Sequence, residues 1–454
     1  MNRKWIGNNI TILGLSSSGI AAAKFLNSRG ANCIISEKRQ ETPEDKEAIQ
    51  ELNKLEIAVE MGGHKDATIL NSDLIVASPG IPPHSDVIKF AKSNKIGVIG
   101  EIELAYVSTG KPFIAITGTN GKTTTTKLVS EILTDAGYNA PACGNIGLPV
   151  VSLVNDDVDY FVTEVSSFQL VTSPTFSPQI SAFLNYTPDH IDWHGSEETY
   201  FEAKAALFSG NRSPVWAVLN ACDPKVLALR HKCKSEITFF GREMSESCVY
   251  TMGNKIVLKK HNKIQEIIEL AKIPLIGKHN YQNVMAAIAI AKIVGVDNEI
   301  IKSAIAKFSP PEHRLEYVAT IDKIDYYNDS KATNCDSTIC ALKAFENKKV
   351  VLIAGGRDKG TDLALLIETI KEHASAVVLI GEAAKRFDKA LKASDYTDIY
   401  KAETLEKAID KAGGLKAGPV LFAPACASYD MFKNFEERGK AFKDHVAKKK
   451  QTIR

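Results

Sequence analysis

Charge of one sign is missing from this chain. Across 454 residues, 56 lysines and arginines face 54 aspartates and glutamates, leaving a net charge of +2. That balance gives no electrostatic footprint for a nucleic acid or an anionic membrane surface. No apolar run reaches the ~18 residues of a spanning helix, so no membrane insertion is expected. The eight cysteines include no Cys-x-x-Cys pair, and the nearest two, Cys335 and Cys340, have no His/Cys cluster beside them. Scattered thiols fit a reducing cytoplasm better than a disulfide framework or a zinc site. Met1–Asn9 is polar and runs straight into a strand pattern, so no secretory signal is expected and the location reads as cytoplasmic. Tandem repeats and low-complexity tracts are absent too, and Lys448–Lys450 reads as a solvated tail.

What is present is a rhythm of short apolar runs, polar or glycine-rich loops and helical patterns. The runs include Ile10–Leu15, Leu74–Ala77, Phe113–Thr117, Tyr160–Val165, Ala182–Leu184, Val350–Ala354, Ala376–Ile380 and Val420–Phe422. Alternating strands and helices predict an α/β protein with mostly parallel sheets, and ligands outside the carboxyl ends of the strands. The length suggests about three domains. The divisions fall at 1–107, 108–311 and 312–454, the last join marked by Pro310-Pro311. Phe239 to Leu270 reads as a short antiparallel patch with a turn at Gly253-Asn254.

The strongest motif follows Phe113–Thr117. Gly118-Thr119-Asn120-Gly121-Lys122-Thr123-Thr124 leads into a helix with apolar Leu128, Val129, Ile132 and Leu133 on one face. Glycines turn backbone N–H groups toward phosphate oxygens, and the helix N-terminus adds positive potential. Lys122 supplies a point charge to the β/γ-phosphates, and the Thr123 hydroxyl suits Mg²⁺. Ile116 stands where the strict pattern has glycine, so the loop is a variant with Gly118 first. Glu164, after the run Tyr160–Val165, is a natural Mg²⁺ ligand one strand away. His190, within Asp189-His190-Ile191-Asp192, is ambiguous alone, and Lys204 on the next helix reads as a solvated lysine. Gly277–Asn283 opens an apolar helix whose amides suit either a cap or an adenine.

An earlier loop, Gly14-Leu15-Ser16-Ser17-Ser18-Gly19, precedes a helix over Ile20–Ser28, with Glu37 after the next apolar run. This is a dinucleotide-type pattern lacking its middle glycine, which weakens a case for NAD. A nucleotide still fits, with Gly80 lining the crevice; a purely structural turn is the alternative. In the third block, Arg314 can reach a phosphate or a carboxylate. Three strand ends present Lys331, Thr333, Lys359 and Ser428, a set suited to an acidic small molecule, and a helix is expected from Tyr429 through Phe435.

Eight segments carry a resemblance. GTNGKTTT, GNIG at Gly144–Gly147, EVSSFQL at Glu164–Leu170, NYTPDHIDWH at Asn185–His194 and HNYQN at His279–Asn283 resemble the Mur ligase family. HRLE at His313, NDSKATN at Asn328 and PACASYDMFKNFEERG at Pro424–Gly439 narrow the resemblance to the D-glutamate-adding branch. Matches span all three blocks in the family's order. The resemblance implies a Rossmann-like N-terminal domain, a central P-loop ATPase-type domain and a Rossmann-like C-terminal domain. It implies ATP-dependent addition of D-glutamate to UDP-N-acetylmuramoyl-L-alanine through an acyl phosphate, in peptidoglycan precursor synthesis, by a cytoplasmic monomer that uses two Mg²⁺.

By the same resemblance, Ser17, Ser18, Glu37, Arg39, Gly80 and Asn145 match positions that hold the UDP substrate. Gly118, Thr119, Asn120, Gly121, Lys122, Thr123, Thr124, Asn280, Asn283, Arg314 and Asp329 match the ATP side. Thr123 and Glu164 would bind one Mg²⁺. His190 and a carbamylated Lys204 would bind the other, which replaces the reading of Lys204 as a solvated lysine. Lys122, Glu164, His190 and Lys204 are the catalytic candidates, with His190 or a nearby carboxylate as the base. Lys331, Thr333, Lys359, Ser428 and Phe435 match the D-glutamate site. The chain departs from the family pattern at Ser16, Ser18, Glu37 and Ala423. With ATP and the amino acid on different blocks, closure of the second and third blocks is expected.

Overall fold

The computed structural model describes residues 5–261, 263–275, 277–345, 348–358 and 360–452. The chain divides into two compact units. One runs to Lys272 and takes in Gln282–Ala306; the other comprises Ile273–Tyr281 and the chain from Lys307 onward.

The first unit holds two sheets. The amino-terminal sheet contains β1 (Asn9–Leu13), β2 (Asn32–Ser36), β3 (Ala58–Glu60), β4 (Leu74–Ala77) and β5 (Gly97–Gly100), all parallel, in the order β3-β2-β1-β4-β5. Strand order reverses direction between β1 and β4, so the loops leaving these two strands part and leave a crevice. The central sheet contains β6 (Phe113–Thr117), β7 (Ala142–Gly144), β8 (Phe161–Glu164), β9 (Ile180–Phe183), β10 (Trp216–Asn220), β11 (Glu236–Phe240), β12 (Cys248–Met252), β13 (Lys255–Lys260) and β14 (Lys263–Glu269). Its order is β14-β13-β12-β11-β10-β9-β6-β8-β7. β6 lies between β8 and β9 and is buried along its whole length. That explains its unbroken apolar run: a parallel strand covered on both faces has no polar side to alternate. Phe113 stacks on Phe161 at 4.8 Å and meets Phe176 edge-on at 5.3 Å. Truncating a fully buried phenylalanine of this kind costs about 3–5 kcal/mol.

The second unit holds β15 (Glu316–Ile321), β16 (Ile324–Asn328), β17 (Val350–Gly355), β18 (Ala374–Ile380), β19 (Ile399–Lys401) and β20 (Val420–Phe422), in the order β15-β16-β20-β17-β18-β19. β20 pairs in parallel with both β16 and β17, Phe422 standing beside Asn328 on one side and Ile353 on the other. The loops after these three strands are therefore neighbours. The candidate residues Lys331, Thr333 and Ser428 stand on two of them.

Three local expectations change. The helix expected from Tyr429 instead begins at Phe435 and runs to Thr452. Its start is fixed by Asn434, whose Oδ1 accepts from Glu437 N at 2.7 Å, while Glu437 Oε2 accepts from Lys433 N at 2.7 Å. Asn434 thus caps the helix, and Glu437 reaches back to the amide one residue before the cap. Lys448–Lys450 is part of that helix and not a loose tail; Lys449 Nζ donates to Asp410 Oδ1 at 2.9 Å. The antiparallel patch is β12–β13–β14, with Gly253 at φ 60° in its first turn, but Phe239 and Phe240 lie on β11 and pair with β12 in parallel.

Candidate active site

The phosphate loop is braced by neighbouring strands. Gly118 has φ 151° and Gly121 φ 84°, backbone that side-chained residues rarely adopt. At Gly121 a Cβ would also lie 2.2 Å from Asn283 Oδ1. Asn185, at the end of the β9 run, accepts from Asn120 N at 2.8 Å and donates to Asn120 O at 3.0 Å. Thr119 Oγ1 donates to Thr187 O at 2.9 Å, and Tyr200 OH stands 3.2 Å from it. Thr124 is fully buried, and its hydroxyl has no hydrogen-bond partner among the described residues.

Two amines converge on one carbonyl. Lys122 Nζ donates to Gly118 O and Thr119 O, each at 3.0 Å, and Lys204 Nζ donates to the same Gly118 O at 3.0 Å. Lys204 sits on the helix Glu197–Ala205, capped by Ser196, and is only 2% exposed. The reading of a solvated lysine is thus overturned: the helix face that carries it packs inward. Its Nζ lies 4.8 Å from the Tyr200 ring centroid. Burial first, then the Lys122 charge, hold its ammonium well below the usual lysine range.

Across from the lysines, Thr123 Oγ1 donates to Glu164 Oε2 at 2.8 Å, and Asn145 Nδ2 donates to Glu164 Oε1 at 2.9 Å. Thr123 and Glu164 are both buried. These are hard oxygen donors beside a phosphate loop, and they fit Mg²⁺. His190 is exposed at φ 53°, its Nε2 3.6 Å from Asp189 Oδ2 and its ring 6.3 Å from that of Tyr200. Among the described residues, no group of three or more His, Cys, Asp or Glu side chains is spaced to hold a metal. As an ammonium, Lys204 cannot ligate; only as a carbamate would it add the missing oxygens.

In the amino-terminal sheet, the crevice between β1 and β4 is a cavity of about 790 Å³. Ser16, Ser18, Glu37, Ser78 and Gly80 line it. Ser16 Oγ caps the helix Ser17–Ser28 and hydrogen-bonds Ser18 Oγ at 3.0 Å and Ser78 Oγ at 2.8 Å. Glu37 Oε2 accepts from Leu15 N at 2.8 Å and Oε1 from Arg39 N at 3.1 Å. Burial would raise this carboxyl; the Leu15 and Arg39 amides outweigh it and leave it below its ordinary value. The Arg39 guanidinium makes a two-pronged contact with Asp45, at 2.5 and 2.6 Å. Ser17 and Asn145 are exposed.

In the second unit, Arg314 Nε is buried with no hydrogen-bond partner among the described residues, and Asp329 is raised to about 6 by burial, against the pull of Arg314. Asn280 is buried. Lys331 Nζ stands 5.4 Å over the Phe435 ring. Ala425 N donates to Ala332 O at 2.9 Å, which joins the loop holding Lys331 and Thr333 to the loop holding Ser428. Lys359 lies outside the described residues. Arg438, which sequence reading missed, is 1% exposed and clamps these loops: Nε to Ser330 Oγ at 3.0 Å, one terminal nitrogen to Ser330 O at 2.8 Å, the other to Cys426 O at 3.1 Å. No single-residue signal marks it. Asn185 was visible inside NYTPDH but carried no assigned role.

Family models match in chain order. Residues 8–100 match the Mur ligase MurD-like N-terminal domain, 116–291 the Mur ligase middle domain, and 313–426 the Mur ligase glutamate ligase domain. The UDP-N-acetylmuramoylalanine–D-glutamate ligase of Koribacter versatilis is 42% identical over 97% of this chain and 98% of its own. The chain belongs to the Mur ligase family. Another relative of this Mur ligase, the enzyme of the same name from Clostridioides difficile, is 39% identical over 97% of this chain and 98% of its own. Among solved structures, UDP-N-acetylmuramate–alanine ligase from Thermotoga maritima superposes with a TM-score of 0.60 at 20% identity, covering 97% of this chain and 99% of its own. MurF from Acinetobacter baumannii gives 0.60 at 15%, covering 98% and 93%. These two likenesses bear on the fold: three domains of α/β type with mostly parallel sheets.

Proposed function

We propose that this Mur ligase joins D-glutamate to UDP-N-acetylmuramoyl-L-alanine at the expense of ATP, in cytoplasmic peptidoglycan precursor synthesis. The observation that carries the reading is the convergence of Lys122, Lys204, Thr123 and Glu164 around one glycine loop. Full-length relatives named for this reaction support the choice of substrates. The domains are taken as 1–107, 108–311 and 312–454, and the protein as a monomer. Among the described residues no helix is long and apolar enough to cross a membrane.

The acceptor's alanyl carboxylate attacks the γ-phosphorus of ATP, ADP leaves, and an acyl phosphate forms. The amine of D-glutamate then attacks the acyl carbon, and phosphate leaves with the amide in place. The loop amides and Lys122 hold the triphosphate, and Lys122 offsets charge on the transferring group. Thr123 and Glu164 would hold one Mg²⁺. A second would lie with His190 and carbamylated Lys204. Bound there, the ions would neutralise phosphate charge. The depressed ammonium of Lys204 supports carbamylation, because the neutral amine is the form that attacks CO₂. In the 790 Å³ cavity, Ser18, Glu37 and Gly80 offer hydroxyl, carboxylate and open backbone to a uridine nucleotide. Ser17 and Asn145 stand exposed for the same substrate. Arg39, already held by Asp45, joins them only by exchanging partners. Asn280, Asn283, Arg314 and Asp329 serve the nucleotide side. Lys331, Thr333, Lys359, Ser428 and Phe435 receive D-glutamate, the lysines meeting its carboxylates. His190 or a neighbouring carboxylate takes the amine proton.

The test is ADP and phosphate release by the purified chain with Mg²⁺, ATP and UDP-N-acetylmuramoyl-L-alanine, with D-glutamate and with other amino acids in turn. Release only with D-glutamate is expected; equal release with another amino acid overturns the substrate assignment.

A further inference from the structure

Two buried carboxylates lie where the amino-terminal sheet hands over to the central one, and the reaction above uses neither. Glu101 and Glu103 open the helix Glu101–Ser108, directly after β5, and are 4% and 2% exposed. Buried carboxylates are costly unless donors meet them. Here the donors come from loops of the central sheet. Glu101 Oε1 accepts from Val151 N at 2.6 Å, and Val150 N–H also serves this carboxylate. Glu103 accepts from Thr175 N at 3.2 and 3.1 Å and from the Thr175 hydroxyl. Next to them Gly100 N donates to Thr172 O at 2.7 Å. A Cβ on Gly100 would come within 2.4 Å of Thr172 Oγ1, so the Gly100 backbone lies close against the Thr172 side chain.

The captured segments lie on either side of Glu164. One ends the turn Gly144–Val151, which carries Asn145. That turn is closed by Gly144 N donating to Leu148 O at 3.0 Å, and Asn145 N donates to Glu164 O at 2.9 Å. The other follows the helix Ser167–Val171, which begins just after Glu164. On the opposite side of the junction, β5 runs beside β4, Gly100 next to Ala77, and β4 leads straight into Ser78–Gly80 on the cavity wall. Glu101 therefore links the wall of the cavity to the turn that presents Asn145.

We propose that Glu101 is a positioning residue for the UDP-linked acceptor. By holding the Val150–Val151 amides it sets the Asn145 turn at a fixed reach from the cavity. A long acceptor anchored in the cavity then delivers its carboxylate end beside Glu164 and the phosphate loop. Glu103 braces the far side of the same junction through Thr175. This deepens the function proposed above and rests on it, since it takes the acceptor to span the cavity and Asn145.

The test compares the full-length chain with Glu101→Gln, Glu101→Asp and Glu101→Ala, measuring kcat and the separate KM values for acceptor, ATP and D-glutamate. Glutamine keeps an acceptor oxygen at the same reach and is expected within about two-fold of the parent, because a neutral acceptor still satisfies the amides. Alanine is expected to raise the acceptor KM by about ten-fold or more while the D-glutamate KM moves less than about two-fold. Aspartate, one methylene short, is expected to shift the same constant by less. An unchanged acceptor KM in Glu101→Ala, an equal rise in all three constants, or a glutamine variant as impaired as alanine overturns the proposal. Should the alanine chain not fold, the aspartate chain is judged by the same KM split. A parent chain that does not use the UDP-linked acceptor at all overturns the functional reading and this inference together, whereas an active parent with a flat Glu101 series overturns the inference alone.

Discussion

The two glycine loops of the first unit have the same origin and opposite character. Each leaves an apolar parallel strand and opens a helix, one at Gly14–Gly19 and one at Gly118–Lys122. Around the first, the side chains are hydroxyls and a carboxylate: Ser16, Ser18 and Ser78 bond one another, and Glu37 takes the Leu15 amide. Around the second, two amines, Lys122 and Lys204, share the Gly118 carbonyl beside the Thr123–Glu164 pair. A helix N-terminus alone favours an anion at both. On the function proposed above, the side chains gathered at each loop would let the second take highly charged phosphates and the first a nucleotide's neutral, hydrogen-bonding parts.

The largest effect that would separate the loops is Lys122→Ala. Turnover is expected to fall at least ~10³-fold, since the positive charge that offsets the transferring phosphoryl group is lost. Acceptor binding, measured by calorimetry, should be unchanged, and undiminished ADP release would remove the phosphate loop from the reaction. Next comes Lys204→Ala, expected to lose roughly 10²-fold, with partial recovery on adding a short-chain carboxylate that can stand in for a carbamate. Full activity without that addition would take Lys204 out of the site. On the other loop, Glu37→Ala strands the Leu15 and Arg39 amides and is expected to raise the acceptor KM by roughly ten-fold, with the ATP KM unmoved. A shift in the ATP constant instead would show that the two loops do not divide the substrates as described.

The smallest effect lies at the junction of the two sheets and appears in stability against pH. Burial raises the Glu101 carboxyl from 4.5 to about 7, opposed by the Val151 and Val150 amides. The folded chain then holds a proton that the unfolded chain has released. The stability linked to this group is complete below 4.5 and is lost as pH rises through about 7. Denaturation midpoints at pH 5 and pH 8 should differ less in Glu101→Gln than in the parent; an identical slope contradicts the assignment. His194 works in the other direction. Burial, then the Lys204 charge, pushes its imidazole from 6.5 to about 4, so its share of stability is present above 6.5 and lost as pH falls through about 4.

Much of this was legible along the chain. β4, β6 and β20 fall on the runs expected for them, because a parallel strand covered on both faces must be continuously apolar. Gly118–Thr124 could be read because its chemistry is local: glycines, a lysine and a helix start in succession. The late start of the helix at Phe435 was also written in the sequence, as an asparagine three residues before Glu437, a local N-cap signal. Arg438 was not legible. Its value depends on Ser330 and Cys426, which only adjacent strands β16 and β20 bring to one place.

The sequence by itself determined where strands end, which loops turn on glycine and which of them bear lysines, because those properties depend on residues within a few positions of one another. Tertiary structure alone decided that Lys204 is buried against the Gly118 carbonyl, that Asn145 and Thr123 share the Glu164 carboxylate, and that Glu101 crosses from one sheet to the loops of the next. Burial and pairing between distant segments set the charge state of an ionisable group, and no local pattern encodes them.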